Sequence, residues 1–212
     1  KRTLGFLAAS GATIIYGLNH TIAKNVMPTY ITPFGFILLR VLGAAILFWL
    51  VSFLIKPEKI QKKDWPRLIA CSFLGMVINM LAFFKGLELS TPVNSSVIIT
   101  ISPIIVFIFS AILLKEKIQF LKTIGIILGF MGAVILVLYT SKTGINAPNI
   151  PLGNVLFIVN SFAYGLYLVL VKPLIEKYNI ITLLKWLFLL AIFLHLPVTF
   201  NEFVSVKWSD LP

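Results

Sequence analysis

Arg40 lies seven residues into an apolar stretch that opens at Pro33. A planar guanidinium grips a carboxylate or a phosphate through two parallel hydrogen bonds. At lipid depth it is costly unless it is paired or borders water. Counted at about 1.5 Å per helical residue, Arg40 sits roughly 10 Å below the nearer boundary of its stretch. Asn79, Asn160 and His195 fall at a similar depth in their own stretches, Asn19 and His20 somewhat shallower, and Thr100, Ser102, Tyr16 and Tyr164 deeper. Polar groups on several stretches thus crowd into one layer, where they line a hydrated cavity. The chemistry they offer is recognition of a polar, anionic group rather than bond breaking.

The remaining candidates extend that layer. Thr13, Gly17, His20 and Lys24 are spaced 4, 3 and 4, so they share one helical face. Lys24 is either an ammonium facing the cavity or a boundary anchor whose head reaches for water. His20 and His195 titrate near neutral pH, which suits a proton relay, although a lone helical His also serves as an interhelical contact. Asn94, Ser95, Ser96, Thr100 and Ser102 give the fourth stretch a polar face. Beside them Pro103 frees a backbone carbonyl and permits bending, a gating role; the bland alternative is close packing by small residues. The stretches hold no Asp or Glu at mid-depth, no paired carboxylates and no phosphate-cradling loop, so we expect no enzyme and no cofactor. Cys71 is the sole cysteine, which excludes a disulfide framework and a cysteine-based metal site.

Side chains at such depth need membrane-spanning elements to hold them. The chain is 59% hydrophobic and 12% charged, with a mean hydropathy of +1.01. A soluble domain is nearer about 45–50% apolar and about 25% charged. Seven stretches are long enough to cross a bilayer: Leu4–Ala23, Pro33–Ile55, Pro66–Phe84, Pro92–Leu114, Leu121–Tyr139, Gly153–Val171 and Thr182–Phe200. Thr32-Pro33 and Thr91-Pro92 supply N-cap and first-turn signals. The expected fold is an all-α, polytopic transmembrane bundle, with the lipid bilayer as its partner. The net charge of +11 is not a nucleic-acid footprint, because the basic residues cluster between apolar stretches. With the N-terminus in the cytoplasm, thirteen of the 18 basic residues fall inside and four outside, Arg40 being the other. The positive-inside rule therefore gives that orientation, and a seven-helix receptor of opposite sense is disfavoured.

Tyr16–Lys24, YGLNHTIAK, recurs as Tyr164–Lys172, YGLYLVLVK. Each copy closes the first helix of a five-helix unit, and an odd number of helices inverts the second copy, a common plan for secondary transporters. With Pro33, Arg40, the run Gly86–Ile118 around Pro103 and Glu116, and Gly125, Gly129 and Gly132, the chain resembles the EamA-type exporters of the drug/metabolite transporter superfamily. The resemblance implies ten helices in two inverted repeats. Residues 1–139 are then the first repeat, 140–152 a linker, and 153–212 the first two helices of the second, leaving three helices unrepresented. It also implies a carrier that exports small polar metabolites such as amino acids by rocking one repeat against the other. The expected substrate site is Arg40, Lys24, Asn19, His20, Asn79, Ser96, Thr100 and Tyr164. Phosphorylated or nucleotide-sugar cargo is the first alternative, and a non-transporting receptor or scaffold the second. Phosphate cargo would favour a second cation beside Arg40; the position aligned with it in the second repeat, near Phe188, supplies none.

Overall fold

A computed structural model describes residues 2–27, 29–115, 147–206 and 208, with scattered positions between 123 and 135. Among the described residues the secondary structure is helical throughout. Among the described residues, six helices have both ends defined: α1 (Arg2–Val26), α2 (Pro33–Ser52), α3 (Lys62–Leu89), α4 (Pro92–Leu113), α5 (Ile150–Ile175) and α6 (Ile180–Val204). Five of them, α2 to α6, are long and apolar enough to cross a membrane. The fifth expected stretch, Leu121–Tyr139, lies largely outside the described residues; a Cβ added at Gly125, Gly129 or Gly132 would meet nothing within 4 Å among the described residues.

The caps follow the sequence at one start and depart from it at another. Thr91 accepts a hydrogen bond from the Asn94 N–H at 3.1 Å and opens α4 as a serine or threonine cap should. Thr32 makes no such bond. There the Glu202 carboxylate of α6 accepts from the Phe34 N–H at 3.0 Å, placing a negative charge at the positive end of α2.

Two antiparallel pairs carry the bundle. α2 lies along α6: Gly35 abuts the Glu202 backbone, Phe48 stacks on Phe188 at 5.4 Å, and Trp49 meets Trp186 edge-on at 5.6 Å. α3 lies along α5, and the approach is closest at glycines. A Cβ on Gly153 would stand 2.5 Å from the Ser90 Cβ and 2.9 Å from the Gly86 carbonyl oxygen. Small residues allow such backbone contact in lipid, where no hydrophobic force drives helices together. The two pairs share a core that includes Leu68, Cys71, Phe83, Phe84, Leu87, Phe157, Leu174, Leu183 and Leu187.

Two helices are irregular. α3 passes from α-helix at Trp65–Ser72 through a π-helical turn at Phe73–Ile78 and back to α-helix at Asn79–Leu89. α4 breaks at Thr100–Ile101, the two residues before Ser102-Pro103, because the Pro103 ring cannot accept a regular preceding turn.

Candidate functional site

The antiparallel pairs bring the α2 residues near Pro33 and the end of α3 to the same end of the bundle as the end of α1. Arg40 is held there, half-buried, between three helices. One guanidinium N–H donates to the Asn19 carboxamide oxygen of α1. The cationic plane lies 5.6 Å from the Phe36 ring centroid and 5.1 Å from that of Phe84. These two rings themselves meet edge-on at 5.2 Å. Phe36 is one turn before Arg40 on the same helix face, so it walls the cation automatically; Phe84 is supplied by α3. Aromatic faces hold a guanidinium without neutralising it. No Asp or Glu pairs with Arg40 among the described residues. With five N–H donors and one engaged on Asn19, the group keeps capacity for an incoming acceptor.

Tyr16 of α1 interacts electrostatically with both Arg40 and Tyr164 of α5. The tyrosine that opens the first YGL segment is thus within electrostatic reach of the guanidinium and of its counterpart in the second segment. Tyr164 also lies 6.0 Å, centroid to centroid, from Tyr167, whose ring packs over Gly75 in the π-helical turn.

The other sequence-derived candidates take different places. Lys24 donates to the carbonyl oxygens of Leu87 at 2.7 Å, Glu88 at 3.1 Å and Ser90 at 2.8 Å. It thus caps the negative end of α3, and ties α1 to it. We expect Lys24→Met to cost about 2 kcal/mol by leaving charge-assisted bonds unmade. Thermal unfolding of the full-length protein in detergent, with hydrogen exchange along α1, checks this. Asn79 contributes its backbone: its carbonyl accepts from the Asn160 amide at 2.9 Å. Ser96 and Thr100 are exposed, and their hydroxyls bond back to the Pro92 and Val97 carbonyls of their own helix. His195 is fully buried in α6, with Nδ1 at 2.8 Å from the Ala191 carbonyl and Nε2 without a partner among the described residues. The His20 side chain lies outside the described residues.

Sequence reasoning missed the Phe36–Phe84 clamp and a polar cluster at the opposite end of the bundle. In that cluster the Glu58 carboxylate accepts from the Asn179 N–H at 2.9 Å. Lys177 bonds Asp64 and, at 2.8 Å, Gln61; Tyr178 donates to Asp64 at 2.6 Å and accepts from the Gln61 N–H at 3.0 Å. The hydrogen bond to Asp64 holds the Lys177 ammonium above the ordinary lysine range. Among the described residues no cluster of His, Cys, Asp and Glu could hold a metal ion.

Comparison with known proteins places this geometry in context. The profile of the EamA-like transporter family matches residues 3–138. An uncharacterized transporter of Archaeoglobus fulgidus is 32% identical over 170 residues, covering 79% of this chain and 57% of its own length. The uncharacterized transporter YetK of Bacillus subtilis is 25% identical over 212 residues, covering 99% of this chain and 64% of its own. The chain therefore spans less than two thirds of either relative. No solved structure matches it.

Proposed function

The chain belongs to the EamA-like transporter family, and from that premise we propose that this multi-pass membrane protein acts as a secondary carrier for small polar metabolites bearing a carboxylate, amino acids foremost. The observation that carries the reading is Arg40: a half-buried guanidinium, walled by Phe36 and Phe84, anchored by Asn19, and paired with no carboxylate among the described residues. Burying a cation in lipid without a counter-ion is costly, and a substrate anion offsets that cost when it binds. Tyr16 of α1 and Tyr164 of α5 supply hydroxyls for the rest of the cargo. Among the described residues a single cation occupies the site, which favours a carboxylate over a doubly charged phosphate.

The excess of basic residues at the end where α3 begins supports a cytoplasmic N-terminus in the inner membrane. Two inverted repeats, one over residues 1–139 and a second beginning at 153, are supported by the antiparallel α2–α6 crossing and by the recurrence of the YGL segment at Tyr16 and Tyr164. Alternating access then consists of rocking about that crossing, with the break at Thr100–Ile101 ahead of Pro103 as a hinge in α4. The direction of transport in this reading is export.

The test is uptake by proteoliposomes holding the full-length protein, with radiolabelled amino acids, amines and sugar phosphates offered in parallel, with and without a pH gradient. Saturable flux of the amino acids alone is the expected result. Flux of sugar phosphates alone, or of nothing, would remove the reading.

A further inference from the structure

α2 and α6 cap one another at both ends. Glu202, in the last turn of α6, accepts from the Phe34 N–H in the first turn of α2. Glu58, just beyond the end of α2, accepts from the Asn179 N–H at the start of α6. The relation is reciprocal: each helix carries, at or past its C-terminal end, the carboxylate that holds the other's N-terminal end. Antiparallel packing makes this arrangement possible, since it sets the start of each helix beside the end of the other. The contacts are not equal. The Glu58 end is reinforced by Lys177 and Tyr178 on Asp64 and Gln61, which joins the start of α3 to the α5–α6 connection. About two helical turns along α3 from Asp64, Cys71 is fully buried, and the neighbouring Ser72 hydroxyl donates to the Leu187 carbonyl of α6 at 2.9 Å. At the other end Ile31 is equally buried, its side chain packed on Gly35 beside Glu202.

We propose that Glu58 and Glu202 are two bolts, one at each membrane face, that break in turn as the carrier opens inward and outward, the structure with both made being the closed intermediate. The proposal rests on the carrier reading, but it concerns which contacts gate the path, not what travels along it. A carboxylate on a helix N-terminus suits this use. Its bond is charge-assisted, yet it lies at the membrane boundary, where water can replace the lost partner at modest cost.

The native Cys71 is a reporter for the Glu58 end, and Ile31→Cys in a Cys71→Ala background is one for the Glu202 end. The experiment labels the full-length protein, any other cysteine replaced, with a membrane-impermeant maleimide in right-side-out and inside-out vesicles. Glu58→Gln is expected to speed Cys71 labelling from the cytoplasmic side about tenfold and leave the Ile31→Cys reporter no faster. Lys177→Gln is expected to do the same more weakly. Glu202→Gln is expected to speed labelling of the Ile31→Cys reporter from outside about tenfold and leave Cys71 no faster. This crosswise pattern supports the bolts. Rates that rise at both reporters in each variant indicate general loosening, and rates that stay put indicate contacts without a gating role; either overturns the proposal. The labelling needs no cargo, so a failure here is separable from a failure of the flux assay.

Discussion

Arg40→Lys should lower the flux of carboxylate substrates at least a hundredfold while the protein still inserts and melts within a degree or two of its parent. Lysine keeps the charge and a similar length. It loses the planar fork that holds a carboxylate by two bonds, and the flat face that lies against Phe36 and Phe84. A hundredfold loss corresponds to about 2.8 kcal/mol, within the range of one bidentate charge-assisted contact. If Arg40 were a structural cation satisfied by Asn19 alone, lysine would reach the same oxygen and transport would persist. Asn19→Ala separates the roles further, since it frees the guanidinium without removing it and should cost about tenfold at most. Flux in proteoliposomes, with melting in detergent as the control for folding, makes the measurement. Undiminished flux in Arg40→Lys would end the case for substrate recognition by this residue.

Gly153→Val should be the most damaging single substitution in the interface between α3 and α5. Its first added carbon would meet the Ser90 Cβ, the Gly86 carbonyl oxygen and the Ser90 nitrogen at 2.5, 2.9 and 3.0 Å. Two of those three atoms are backbone and cannot swing aside. The helices must separate, which undoes the packing of Phe157 on Phe83 nearby. We expect a loss of about 3 kcal/mol, read as a melting temperature lower by about 10 °C. Gly43→Val is the matched control: a Cβ there meets nothing within 4 Å, and stability should hold within about 0.5 kcal/mol.

How much of this was legible in the sequence follows from what each feature depends on. Spans α2 to α6 were readable because lipid imposes length and composition on each helix separately. Arg40 was readable for the same reason: a charge in an apolar run needs an explanation wherever its helix is placed. What surrounds Arg40 was only half readable. Phe36 could have been found by stepping back one turn, but Phe84 depends on how α3 is rotated against α2. Lys24 was placed on a cavity face by its spacing, yet the structure sets it on three carbonyls of another helix's end, a destination that spacing on its own helix does not encode. The Glu58 and Glu202 caps join residues 121 and 168 positions apart, so no local pattern announces them. Thr32 illustrates the point: its hydroxyl makes no cap bond, and a carboxylate from another helix accepts from the Phe34 N–H instead.

The π-helical turn at Phe73–Ile78 fixes the phase between the two halves of α3. Its wider winding offsets the second half by the angular width of roughly one residue, about 100°. The first half can therefore turn Ser72 toward α6 while the second turns Phe84 toward Arg40 and Gly86 toward α5. Deleting a single residue from that turn would leave every amino acid of the clamp in place and point it at the wrong neighbour. The length of this turn, more than its composition, is what aims the Phe84 ring.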